Sequence, residues 1–280
     1  MRKFIIRFLA AVIFFTISGL YVSAQVKYIL EYKYKQGETY KYKHESRNTS
    51  VMEINGQEMK QVGSAFADMK LEVESVDPDS SIHILTFLEQ MKVTQKKANR
   101  DTTIDLNEML NKRTRVVFTK TGKILKNEMI DDIPTGNMMV EKNQGLVGIN
   151  KEFAVFPGYG VTIGDRWSEE ITDSLSSQMV TRIQALYTFT ALENKYGHDC
   201  VRINYTGKTE ITGKMKQMGM EFFIEGSGDV TGSFWFDFKS GIIISKETNS
   251  DQDLTLATTG QMQMTIPVTV HSAGAFTIKE

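Results

Sequence analysis

Cysteine is almost missing from this sequence: 280 residues hold one, Cys200, far from the N-terminus. A single thiol excludes an intramolecular disulfide framework. Placed in a strand, Cys200 reads as a small half-buried apolar residue. A nucleophilic role would need a histidine to deprotonate it, and although His198 stands two residues away, no third, orienting group suggests itself. Catalytic signatures are absent as well. There is no Gly-x-Ser-x-Gly elbow, no His-Glu-x-x-His and no phosphate-binding glycine loop. His44, His83, His198 and His271 are scattered without ligand spacing, and Asp251-Gln252-Asp253 has alternating carboxylates but no complete calcium loop behind them. Glu169 and Glu170 read as an exposed strand start, and carboxylates suited to glycoside hydrolysis would have to face each other across a cleft. No residue is assigned a catalytic or metal-binding role, and no cofactor is expected.

Charge of one sign is lacking too. The chain carries 33 basic and 34 acidic residues. No basic field exists to hold nucleic acid or an anionic lipid surface. Three of the basic residues, Arg2, Lys3 and Arg7, belong to an N-terminal leader, whose removal leaves 30 against 34. That leader has a positive start, an apolar run from Phe8 to about Val22, and the small pattern Val22-Ser23-Ala24 ahead of Gln25. The run is shorter than the roughly 20 residues that span a bilayer. The expectation is a signal peptide over residues 1–24, cleaved after Ala24, and a mature chain that is periplasmic or secreted. Gln25 stands where a lipoprotein would need cysteine, and no later segment is apolar enough to span, so neither a lipid anchor nor stable membrane insertion is expected.

What the sequence does have is alternation. Tyr28, Leu30, Tyr32 and Tyr34 share one face while Glu31, Lys33 and Lys35 share the other. Ala67, Met69, Leu71 and Val73 alternate with charged neighbours, and Val201, Ile203 and Tyr205 with Arg202 and Asn204. Period 2 with one wet face marks antiparallel strands. Ile82–Val93 and Ile242–Ser245 are apolar on both sides and suit positions covered by another element. Asn55-Gly56, Asp77-Pro78-Asp79 and Tyr196-Gly197-His198-Asp199 read as turns, and Gly226-Ser227-Gly228 as another turn or a bulge. Helical signal is scarce: Asp105 could cap a short helix through about Arg113, with Leu106, Met109 and Leu110 on one face.

Two stretches of the chain resemble each other. Gly37-Glu38-Thr39-Tyr40 opens one and Gly164-Asp165-Arg166-Trp167 the other, and each closes on a hairpin, Val117–Ile124 and Phe236–Ile243. Gly122 and Gly241 occupy the position where a hairpin loop needs a left-handed residue. The fold expected is mainly β: curved antiparallel sheets or a half-open barrel, built as one unit (25–280) from two related halves, about 25–129 and 161–280. Residues 130–160, with several glycines and with Met138 and Met139, read as a partly helical connection too apolar for a flexible linker.

Aromatic and methionine residues carry the functional clue. Tyrosines crowd residues 28–42, Phe153, Phe156 and Tyr159 end the connection, and Phe234–Phe238 holds four aromatics. Such residues serve an ordinary core, and they equally suit an apolar concavity between sheet and connection. The candidate ligand contacts are Tyr32, Tyr34, Met138, Met139, Phe156 and Trp235. Read this way, the protein is a non-enzymatic envelope protein holding a lipid or other apolar ligand. The alternatives are a protein-interaction or carbohydrate-binding module without a cavity, with aromatic faces stacking on sugars or an envelope protein as partner, and then a hydrolase.

The strand and turn Phe234-Trp235-Phe236-Asp237-Phe238-Lys239-Ser240-Gly241-Ile242-Ile243 resembles one found in periplasmic lipoprotein-carrier folds. That resemblance implies a half-open antiparallel barrel with helices on its concave side. More broadly, the mature chain is similar to a family of exported bacterial proteins of unknown function. The landmarks are Lys35–Tyr42, Phe118–Lys123, Val161–Trp167 and the Phe236–Gly241 turn. This second resemblance implies no activity.

Overall fold

A computed structural model describes residues 26–54, 56–97, 100–104, 106–131, 152–176, 179–217, 220–258 and 263–279. Among these residues twelve strands carry the fold. They are β1 (Thr39–Ile54), β2 (Gln57–Val76), β3 (Ser81–Lys97), β4 (Arg100–Ile104), β5 (Thr114–Thr119), β6 (Ile124–Met129), β7 (Arg166–Ser176), β8 (Met179–Lys195), β9 (His198–Gln217), β10 (Met220–Asp237), β11 (Ile242–Thr258) and β12 (Thr265–Ile278). They form one curved antiparallel sheet that does not close into a barrel, in the order β6-β5-β3-β2-β1-β12-β11-β10-β9-β8-β7, with β4 paired to the end of β3. Neighbours in sequence are mostly neighbours in space. The exceptions are β3, which pairs with β5 as well as β4, β12, which lies between β1 and β11, and β6 and β7, which stand at opposite edges.

Alternation decides which face is which. Opposed residues of an antiparallel pair share a face, so one inner row runs His44, Phe276, Lys246, Phe234 and Ile203 across β1, β12, β11, β10 and β9. The outer face carries charges such as Lys41, Lys43 and Glu45, of which Lys41 pairs with Glu89 and Lys43 with Glu45. Where the outer face is apolar it borrows cover: the Lys70 ammonium lies 5.6 Å from the centre of the Phe87 ring.

Topology explains the connection. Strands β6 and β7 are opposite edges of the sheet, so the chain between them has to cross a face. Of its described part, residues 152–161 cross the inner face, where Phe153, Ala154, Phe156 and Val161 are buried. The N-terminal segment, residues 26–35, runs beside it and bridges to it through Tyr28 and Val161. Together these straps cover one end of the inner face. The Tyr32 ring sits among Tyr34, Phe118, Phe153, Phe156 and Phe236, all within 6 Å between centres. Its hydroxyl donates to the Ala154 carbonyl (3.1 Å) and accepts from the Ala154 N–H (2.9 Å).

The straps also rest on the two matching turns. The Tyr32 N–H donates to Lys120 O and the Lys33 N–H to Gly241 O. Gly122 and Gly241 take φ of +90° and +70°, as a left-handed turn position requires. A Cβ on Gly122 would stand 2.0 Å from Ala154 O, and one on Gly241 would stand 2.5 Å from Lys33 N. Both glycines therefore serve the turn and the strap above it.

Several expectations change. Among the described residues the helical content is the 3-10 turn Asn107–Met109, which buries Met109. Asp105, the expected cap, and residues 132–151 of the connection lie outside the described residues. No helix lies on the inner side of the sheet among the described residues, where the carrier resemblance implied some, and extended straps lie there instead. Gly226-Ser227-Gly228 is neither turn nor bulge: β10 runs through it with unbroken register to β9 and β11. These glycines have another cause, because a Cβ on Gly228 would fall 2.1 Å from the Asp251 carbonyl oxygen of β11.

Candidate functional site

Along the inner face of β12 the side chains read Ile266, Val268, Val270, Ser272, Gly274, Phe276. The two ends of this row pack, and the middle does not. At one end Phe276 stacks on Tyr42 with centres 4.3 Å apart, continuous with the aromatic core under the straps. At the other, Ile266, Val268 and Phe222 gather Met52, Ile54, Leu254, Leu256, Met264 and Val270 near the hairpin ends. Between them the strands present small residues, and a recess of about 340 Å³ remains. That lies at the lower end of the roughly 300–1,000 Å³ of small-molecule sites.

The recess has two unlike walls. Ala65, Ala67 and Met69 of β2 with Leu88 and Met91 of β3 make one, wholly apolar. Thr248 and Ser250 of β11 with Ser272 of β12 make the other and bring hydroxyls. Of these, the Thr248 hydroxyl is already paired with the Tyr205 hydroxyl at 2.6 Å. His44 and Ser46 of β1 complete the floor. Lys246 and Glu152 line the end nearest the core, their Nζ and Oε2 3.3 Å apart. Their side chains are 7% and 17% exposed, which makes this a buried pair, with the ammonium 5.2 Å from the centre of the Phe234 ring.

The four described candidate contacts read from the sequence do not line the recess. Tyr32, Tyr34 and Phe156 come together, but their rings face one another, and none of them lines the recess. Burial pushes the Tyr32 and Tyr34 phenols well above the ordinary tyrosine value, so both stay protonated. Trp235 alternates with Phe234 and Phe236 and points to the outer face. There its N–H donates to Glu193, and the Lys195 ammonium lies 3.9 Å from the centre of the indole. Met138 and Met139 lie outside the described residues. The residues that do line the recess are inconspicuous in sequence, because a serine, an alanine and a glycine in a strand signal nothing until cross-strand register gathers them.

The thiol and three of the histidines that the sequence singles out are engaged away from the recess. Cys200 is 1% exposed, and burial, followed by the nearby Asp237 carboxylate, pushes its thiol up to about 12, far from a thiolate at neutral pH. Asp237 is occupied in an Asx turn. One carboxylate oxygen accepts from the Lys239 and Ser240 amides at 2.9 and 3.1 Å, and the other contacts His198 at 3.0 Å. Burial pushes this carboxyl up, but the hydrogen bonds from Ser240, His198 and the amides outweigh it and hold it low. His83 and His271 are likewise paired with Asp77 and Asp251, which leaves His44 as the histidine of the recess. Among the described residues no three His, Cys, Asp or Glu side chains gather as metal ligands, and no helix is long and apolar enough to cross a membrane.

Residues 147–243 match the model of a family of unknown function (DUF6263), which contains two of the landmarks, Val161–Trp167 and the Phe236–Gly241 turn. No curated protein matches the chain. Among solved structures, lipovitellin, studied for its lipid–protein interactions, is similar over 89% of this chain at 10% identity and a TM-score of 0.48. The chain spans 26% of that protein's length. An outer membrane channel from Pseudomonas putida F1 is similar over 89% of this chain and 98% of its own, at 11% identity and a TM-score of 0.28. DynF from the dynemicin biosynthesis pathway of Micromonospora chersina is similar over 91% and 86%, at 8% identity and a TM-score of 0.25. Likenesses at this level say nothing of ligand or activity.

Proposed function

We propose that this protein is a non-enzymatic envelope protein that shelters a lipid or other apolar molecule in the recess of its inner sheet face. In this reading the leader, residues 1–24, is removed ahead of Gln25, and the mature chain works in the periplasm or outside the cell. The two halves descend from one module, whose opening glycines are Gly37 and Gly164 and whose closing glycines are Gly122 and Gly241. The observation that carries the reading is the recess itself. Both ends of the inner face are filled by side chains, and the stretch between them is lined by alanine, serine, methionine and leucine with a volume of about 340 Å³. Apolar surface left unpacked inside a fold forfeits dispersion contacts and hydrophobic stabilisation. An apolar ligand restores both. A module whose whole face served a protein partner would have no need of such a hollow beside a fully packed aromatic core. Native mass spectrometry of the protein purified from an exporting host tests the reading. A bound mass removed by organic extraction is expected, and a clean apo mass would refute it.

A further inference from the structure

Resting on that reading, we infer that the sheltered molecule carries an anionic head, of the kind a fatty acid carboxylate provides, and that Glu152 occupies the place of that head while the recess is empty. Among the described residues, the charged and titratable side chains lining the recess are His44, Glu152 and Lys246. Two of these lie on one row of the sheet, His44 and Lys246 flanking Phe276. A buried ion pair is a poor source of stability, since apolar residues in its place are commonly neutral or better. The position of Lys246 at the end of an apolar recess therefore asks for another reason. Its backbone is held on both sides, by β10 and by β12. Glu152 belongs to no strand; it stands in the connection, with its side chain 17% exposed. The sheet thus holds the Lys246 backbone, whereas Glu152 stands outside any strand.

A ligand carboxylate entering the recess replaces that of Glu152 like for like and keeps the Lys246 charge balanced. The His44 ring offers a second N–H, and the acyl chain runs over Ala65, Ala67 and Met91. An alkylammonium head would instead have to approach Glu152 beside the Lys246 charge. A hydroxyl head would leave the existing pair as it is and gain one neutral hydrogen bond in place of a charge-assisted one.

Calorimetric titration of the delipidated mature chain with palmitate, hexadecanol and hexadecylamine tests this. Palmitate is expected to bind several-fold tighter than hexadecanol, because its carboxylate keeps the charge-assisted bond to Lys246 while the displaced Glu152 returns to water. Lys246→Met is expected to erase the difference and Lys246→Arg to restore most of it, with folding of each verified by circular dichroism. Glu152→Gln, which removes the competing carboxylate, is expected to tighten palmitate several-fold and leave hexadecanol unchanged. Equal binding of palmitate and hexadecanol, tighter binding of hexadecylamine, or weaker palmitate binding by Glu152→Gln would each overturn the assignment of the head while leaving the sheltering role standing. Binding of none of the three would refute the sheltering role itself.

Discussion

Replacing Gly274 gives the sharpest test of the recess, because one position can be changed in steps that separate stability from ligand binding. Gly274 lies mid-strand in β12, and a Cβ there would meet Glu45 O at 3.5 Å, Ser46 Cβ at 3.6 Å and His44 Nε2 at 3.8 Å. These are ordinary van der Waals contacts, so the site has room for a side chain. Glycine inside a strand is destabilising by roughly 0.5–1 kcal/mol relative to alanine, through the freedom it has in the unfolded chain. Gly274→Ala should therefore stabilise by about that amount. The same change at Gly228 should do the opposite. Its Cβ would stand 2.1 Å from the Asp251 carbonyl oxygen and 2.8 Å from Gln252 Cα, both backbone atoms that cannot step aside. A destabilisation of about 1–3 kcal/mol or more is expected from that overlap. Urea unfolding followed by circular dichroism reads the pair directly, as shifts of the midpoint in opposite directions. Gly274→Leu then extends the side chain into the recess. It should fold at least as stably as the natural protein and lose lipid retention in native mass spectra. If Gly274→Ala weakened the fold as much as Gly228→Ala, the space assigned to the recess would not exist. A stable Gly274→Leu that still carried lipid would place the ligand elsewhere.

Three further outcomes are expected. Tyr32→Phe keeps the ring contacts but removes the hydroxyl that serves both the N–H and the carbonyl of buried Ala154. A loss of about 1–3 kcal/mol in urea unfolding is expected, and a change within error would show that water reaches Ala154. Asp131, which Arg113 grips with its side chain and its amide, has its carboxyl lowered to about 2. Because the folded value lies below the ordinary 3.8, the pair stabilises fully above that value and loses its effect as the pH falls towards 2. Asp131→Asn should flatten the stability–pH curve in that window and nowhere above it, and an unchanged acid slope would refute the assignment. Cys200, buried and with its thiol pushed up to about 12, should resist iodoacetamide at neutral pH until the protein unfolds. Native labelling at the rate of a free thiol would contradict its burial.

Much of the architecture was legible residue by residue. Alternation at Ala67–Val73 and Val201–Tyr205 assigns strands and their wet faces because the period of 2 is a property of the extended backbone alone. Gly122 and Gly241 could be read because a left-handed turn glycine involves only a few consecutive residues. The reading failed at Gly226 and Gly228, where the local signal for a turn is also what a strand shows when a neighbouring backbone comes too close for a Cβ. The recess left no such local trace, because its lining is mostly small residues. Tyr32, Tyr34 and Phe156 attract attention by size, and size is what fits them to fill the core.

By itself, then, the sequence determined a β protein with one polar face, glycine-closed turns and no assembled catalytic motif, since each of these is written in spacings of a few residues. The tertiary structure alone decided that β12 joins the two halves of the sheet, that the straps spend the large aromatics on one end of its inner face, and that a recess remains beside Phe276. It also decided that Lys246 meets Glu152. Those outcomes depend on strand order and register, which bring together residues far apart in the chain, and no local pattern encodes which small side chains will face one another.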